Sequence, residues 1–183
     1  MTAKLHVIHH DYHATHSSGL RPIKALRFIV LHDMENTAYN SAAENTGAWF
    51  ENRASGGSSN YGVDNNSIQQ YLDLGVTPWG APSVNYDGVH IEQMGRADWN
   101  YTQWLAKAAG TLDNTAWLMA RLNTITGIPL RRLTDNQVSH RVKGVITHLQ
   151  ATRVFGGTHT DPGSGYPLDH IINMALRYAK QGV

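Results

Sequence analysis

The stretch ALRFIVLH, residues 25–32, decides the fold. It is a short apolar run rich in β-formers, bounded by Pro22 on one side and the polar HDMEN on the other, and it predicts a buried strand that ends on His32. A second stretch, GVITH at residues 144–148, ends in the same way on His148. Residues at strand ends are held rigidly yet open onto a cleft, so two strands terminating in histidine present their imidazoles to one site. GGTHTDPG, residues 156–163, follows His148, and this reading joins the two by a short loop. Its glycines let the chain fold back, Pro162 stiffens it after the carboxylate, and Asp161 becomes a candidate third donor. Two imidazoles and a carboxylate suit a zinc ion that keeps one position for water. The plainer alternative is that each strand-end histidine is a satisfied polar group and DPG an ordinary turn.

Outward from these strands the pattern mixes helices and strands without strict alternation. SAAENTGAWFENR, residues 41–53, has Ser41 as an N-cap and predicts a helix, and ASGGSSN forces a loop after it. YGVD and SIQQYLD, separated by NN, predict a hairpin, and GVHIEQM, residues 88–94, a further central strand. Between residues 101 and 127, Trp104, Leu105, Ala108, Leu112, Ala116, Met119 and Leu122 keep helical spacing, which predicts one long helix stopped by Gly127 and Pro129. PLDHIINMALRYAKQ closes the chain as an amphipathic helix with basic residues in its last turns. Residues 1–22, polar and His-rich, read as an arm or short strand before a single α/β domain over residues 23–183.

Composition narrows the function. The 183 residues are 41% hydrophobic and 16% charged, enough for one well-buried core. Fifteen Lys and Arg against 14 Asp and Glu, with no block of either sign, disfavour nucleic acid as a partner. There is no cysteine, so disulfides and thiolate chemistry are excluded and His, Asp and Glu remain as the strong metal ligands. No apolar run approaches the roughly 18 residues of a membrane span, and no signal-peptide pattern opens the chain, which predicts synthesis in the cytoplasm without membrane insertion.

FIVLH, GVHIEQMG, GVITH and HTDPG, in this order, resemble the zinc-dependent N-acetylmuramoyl-L-alanine amidases shared by bacterial recycling enzymes, bacteriophage endolysins and peptidoglycan recognition proteins. The resemblance runs from about residue 26 to 176. It implies an α/β fold with a mixed central sheet of five or six strands and packed helices. It implies one catalytic zinc held by His32, His148 and Asp161, the aspartate branch of the family. Glu92 matches the glutamate of the family's GIE stretch and is implied as the general base. Many relatives carry lysine where His159 stands; an imidazolium there could steady the oxyanion, while the competing reading makes His159 itself a ligand.

Other matches are looser. Some relatives have a catalytic tyrosine whose place falls at Ser59 or Asn60, with Tyr61 one or two residues late. The family's WHAG stretch appears as WGAP, residues 79–82: Trp79 could shape a sugar or peptide subsite, or be an ordinary tryptophan, and the usual histidine is absent at Gly80. Asn85 could hydrogen-bond substrate. His6, His9, His10, His13 and His16 have a spacing that would align several on a helical face, although their polar segment offers a metal little burial.

The implied activity is hydrolysis of the amide joining N-acetylmuramic acid to L-alanine in peptidoglycan. The expected setting is a phage or prophage endolysin, monomeric, made in the host cytoplasm and released to the wall by a holin. The alternatives are a cytosolic enzyme recycling soluble muropeptides and a non-catalytic wall-binding module of the same fold.

Overall fold

Strand β2 (Phe28–Leu31) has every residue buried, as a strand covered on both faces must, and it sits near the middle of a six-stranded sheet. The computed structural model describes residues 6–183. The remaining strands are β1 (Ile8–His9), β3 (Tyr61–Val63), β4 (Ile68–Gln70), β5 (Gly88–Gln93) and β6 (Gly144–Thr147), in the spatial order β1-β4-β3-β5-β2-β6. β3, β5, β2 and β6 are mutually parallel, β3 and β4 form the antiparallel hairpin, and β1 runs parallel to β4 at the edge. Side chains of consecutive strand residues point to opposite faces. Ile29, Leu31, Val89, Ile91 and Val145 therefore build the larger core, and Phe28, Val30 and Ile146 build a smaller one on the other side.

The helices are α1 (Ala42–Glu51), α2 (Tyr101–Lys107), α3 (Ala109–Thr126), α4 (Asp135–Ser139), α5 (His148–Phe155) and α6 (Leu168–Lys180). α3 and α6 pack on each other and supply Leu112, Leu118, Met119, Ile171 and Ala175 to the larger core. α4 and α5 give Val138 and Ala151 to the smaller one.

Three expectations are corrected. The strand predicted from residue 25 begins at Phe28, after a single 3₁₀ turn over Ile23–Ala25. The long helix is broken at Ala108, and the N3 amide of α3, on Thr111, donates to Asn65 Oδ1 at 2.9 Å. A distant asparagine thus caps a helix whose own N-cap residue, Ala108, has no acceptor. The segment after His148 is helix α5, with Thr147 as its N-cap, where a short loop was expected. The N-terminal segment is described from residue 6 onward; the part of the proposed arm over residues 1–5 lies outside the described residues. Beyond β1 it follows the sheet as coil to Arg21, a buried guanidinium that donates to the carbonyls of Leu74, Asn85 and Gly88.

Candidate metal centre and its cleft

The four parallel strands end on the same side of the sheet, where open α/β sheets place their ligands. His32 extends β2 by one residue, and its amide still donates to Ile91 O at 3.0 Å. Its backbone carbonyl accepts from Gln93 Nε2 at 2.9 Å, and Tyr166 Oη donates to Gln93 Oε1 at 2.7 Å, so the backbone carrying the imidazole is clamped. His148 opens α5 directly after β6. Asp161 is held to that helix by its own carbonyl, which accepts from Leu149 N–H at 2.7 Å. Gly156, Gly157 and Gly163 all adopt positive φ, the conformation that turns the loop back on α5 and that glycine takes at no steric cost.

These elements bring three ligand atoms together. His32 Nδ1 lies 3.0 Å from Asp161 Oδ2, and His148 Nδ1 lies 3.0 Å from Asp161 Oδ1. One ligand atom from each residue falls within 4.8 Å of the others, and the three can hold a metal ion. Two imidazole nitrogens converge on one carboxylate, and both rings are almost wholly buried. The residues present therefore fit a zinc ion: neutral imidazole and carboxylate donors, three in number, on one side of an open cleft.

Burial pushes the Asp161 carboxyl up, but hydrogen bonds from His148 and His32 prevail and hold it well below the usual carboxylate range. Burial lowers the His32 imidazole below its ordinary value, partly offset by its hydrogen bond to Asp161. Glu92 shares the β5 face that looks toward His32, and its Oε1 is 3.9 Å from His32 Nδ1. Burial, reinforced by the charges of Asp161 and Asp33, raises its carboxyl well above the ordinary value. His159 stacks on His148 with ring centroids 4.2 Å apart, and its side chain is 61% exposed, with Nδ1 3.7 Å from Asp161 Oδ1. It stands at the mouth of the site, outside the converging group.

The cleft over these residues has a volume of about 400 Å³ and is lined also by Asp33, Gly80 and Thr158. A second hollow of about 330 Å³, reaching Asn45 and the exposed Trp49, shares Asp33, Met34 and Glu92 as a common wall.

Residues 19–164 match the sequence profile of the N-acetylmuramoyl-L-alanine amidases. The chain belongs to that family. No curated relative matches the sequence. Among solved structures it is similar to the Staphylococcus aureus hydrolase AmiA in complex with its ligand, at 20% identity over 98% of this chain and 87% of that one, with a TM-score of 0.75. It is also similar to a mutant endolysin from Bacillus subtilis, at 20% identity over 95% and 99% of the two chains and a TM-score of 0.64. The N-acetylmuramoyl-L-alanine amidase LysC from Clostridium intestinale is 15% identical over 91% and 95%, with a TM-score of 0.58. At these identities the likeness shows the fold: the mixed α/β sheet of the amidases.

In this amidase two of the sequence-derived site residues lie elsewhere than expected. Asn60 is fully buried, its Oδ1 accepting from His90 N–H at 3.1 Å and from Arg21 Nη2 at 3.2 Å, so it ties core segments together and does not face the cleft. Tyr61 is a core residue whose hydroxyl burial pushes up to about 12. Ser59 is also buried, its hydroxyl donating to Tyr61 O. Asn85 Oδ1 accepts from the amides of Gly80 and Ala81 and so shapes the WGAP turn. Trp79 is 42% exposed, stacks on His16 and lines a separate hollow of about 480 Å³ with Pro82 and Tyr86.

The N-terminal histidines share no helical face, because their segment is strand and coil. His6 stacks on Trp117, and His16 Nε2 meets Arg53 O at 2.8 Å. Among the described residues, the triad is the group of histidines and carboxylates placed to hold a metal. No helix is long and apolar enough to cross a membrane.

The residue that the sequence reading passed over is His90. It is fully buried beneath the site, its Nδ1 2.9 Å from His32 Nε2. The alternation of GVHIEQ places His90 and Glu92 on one face, which is the signal that could have found it.

Proposed function

We propose that the protein is a zinc-dependent peptidoglycan amidase that cleaves the bond between the lactyl group of N-acetylmuramic acid and L-alanine, acting on the wall as an endolysin. The observation that carries this is the convergence of His32 Nδ1, His148 Nδ1 and Asp161 on one point with Glu92 beside it. His32, His148 and Asp161 would hold the zinc. When bound, that ion supplies positive charge for the scissile carbonyl and acidifies a water.

The chain's own groups do the rest. Glu92 takes the proton of the attacking water on its carboxylate and delivers it to the leaving nitrogen. A carboxyl raised this far by burial and by Asp161 is a stronger proton acceptor than an ordinary glutamate, which suits that task. His159, exposed at the rim, supplies cationic stabilisation to the oxyanion when protonated. The two hollows joined at Glu92 give an extended open cleft, which suits a polymer better than a small soluble muropeptide. Trp79, with Tyr86 beside it, offers an aromatic surface for a sugar ring further along the strand. The endolysin setting is supported by likeness to the Bacillus subtilis endolysin fold, and release by a holin goes with it.

The test pairs metal analysis with mass spectrometry of products from purified peptidoglycan, for wild type and Glu92→Gln. One zinc in each protein, with stem peptides beginning at L-alanine released by wild type alone, is the expected result. A roughly 10²–10⁴-fold loss in kcat is the scale for a proton-transfer group. Unimpaired cleavage by Glu92→Gln would remove Glu92 from the mechanism, and wild type without zinc would remove the metal.

A further inference from the structure

Positions 80 and 90 carry the reverse of the family's pattern. The WHAG stretch has lost its histidine at Gly80, and the glycine position of the GIE stretch holds His90. The structure places the two in the same space: a Cβ built on Gly80 would lie 2.6 Å from His90 Nδ1. The volume that a side chain at position 80 would enter is filled by the His90 ring. Gly88 completes the cradle, since a Cβ there would meet His90 Nε2 at 2.8 Å and Val84 O at 2.6 Å.

The His90 ring has one partner on each nitrogen. Nε2 faces Val84 O at 3.4 Å, and Nδ1 faces His32 Nε2 at 2.9 Å. A carbonyl only accepts, so Nε2 must carry the proton. With the proton on Nε2, Nδ1 is the acceptor side of the ring, and the 2.9 Å contact to His32 Nε2 holds one proton between the two nitrogens. The accepting nitrogen then requires that His32 carry its own proton on Nε2. His32 Nδ1, the atom that shares a hydrogen bond with Asp161, is then the nitrogen that offers its lone pair once a metal takes the place of that proton.

We propose that His90 is a positioning residue for the metal centre: anchored by the Val84 carbonyl, it accepts from His32 Nε2–H and so presents the His32 Nδ1 lone pair to the metal, in place of an imidazole from position 80. The hydrogen-bonded partner of a metal-binding imidazole is ordinarily a carboxylate, carbonyl or water, and here it is a second histidine supplied from the neighbouring strand. The proposal rests on the metal-centre reading above, and its test separates the two.

Zinc dissociation constants are measured by chelator competition for the wild-type chain, His90→Asn, His90→Leu and the double exchange Gly80→His with His90→Gly. Losing the partner of a ligating histidine weakens affinity by roughly 10- to 100-fold, which is the loss expected for His90→Leu. His90→Asn keeps an acceptor oxygen where Nδ1 stood and should stay within a few-fold of wild type. The double exchange returns the imidazole from the other side and should recover most of the affinity. A space-filling role predicts the opposite order, with leucine tolerated as well as asparagine.

Long-range ¹H–¹⁵N spectra of the zinc-loaded wild type read the tautomers without any substitution. His32 and His90 should both be protonated at Nε2 only, and this measurement decides even if a variant does not fold. A proton on His90 Nδ1, or wild-type zinc affinity in His90→Leu, overturns the proposal. A wild-type chain that binds no zinc, by contrast, fails the metal-centre reading itself.

Discussion

Replacing Asn60 with alanine tests whether this residue belongs to the core or to the substrate. Its Oδ1 accepts from two buried donors, the His90 amide and the Arg21 guanidinium, and its Nδ2 donates to Asp73 O at 3.1 Å. Alanine removes these bonds at a residue with zero exposure. Each buried donor left without a partner costs about 1–3 kcal/mol, so the two together cost about 2–6 kcal/mol. That is a large part of the roughly 5–15 kcal/mol that holds a domain together. In a chain of this length each kcal/mol moves Tm by about 2–4 °C, so a fall of about 4–24 °C is expected. Urea unfolding at fixed zinc concentration measures the loss, and KM on purified peptidoglycan is measured alongside. A change in stability under about 1 kcal/mol with a clearly raised KM would show the side chain reaching substrate and would refute the core assignment.

Three further outcomes follow from particular contacts. Gly62→Ala should be among the most damaging small substitutions, because the new Cβ would collide with the Tyr71 hydroxyl and ring; circular dichroism and soluble yield report it, and a wild-type Tm would contradict the packing. Asp135 is held down to about 2, chiefly by hydrogen bonds from Arg153 and then Gln150. A carboxyl depressed in the folded state stabilises fully above its unfolded value near 4 and loses that contribution as pH falls from about 4 to 2. Since both side chains are about half exposed, Asp135→Asn should cost under about 1 kcal/mol at pH 7, and the difference from wild type should vanish below pH 2; a gap that persists in acid would contradict this origin. His159→Ala should lower kcat by roughly 10²–10³-fold while keeping zinc, and His159→Lys should restore much of the rate; loss of the metal in His159→Ala would instead make it a ligand.

The site was legible where its chemistry is written locally. A histidine ending an apolar strand, and an aspartate before Pro-Gly in a glycine-flanked turn, are visible in a single line of sequence. What could not be read depends on partners far along the chain. Asn60 looked like a cleft residue because its fixed contacts, Arg21 and His90, are 39 and 30 residues away. The break at Ala108 was hidden for the same reason: the cap that restarts the helix sits on Asn65, 46 residues earlier than Thr111. His90 stood in plain view, but its meaning required the register that sets it beside Val30 and so under His32. Periodicity gives the face of a strand, and only the pairing gives its neighbour.

The two-residue strand β1 has a consequence for how copies of this chain behave together. A row of unpaired amides and carbonyls at a sheet edge is a template on which another molecule can add. Here β1 covers Ile68 and Gln69 of β4, and at the far edge Val145 N–H is taken by Arg131 O at 2.8 Å. Both margins are closed by short pieces of the chain's own backbone, each too brief to offer a new template. Among the described residues, neither edge of the sheet offers a long open ribbon along which copies of this chain could polymerise.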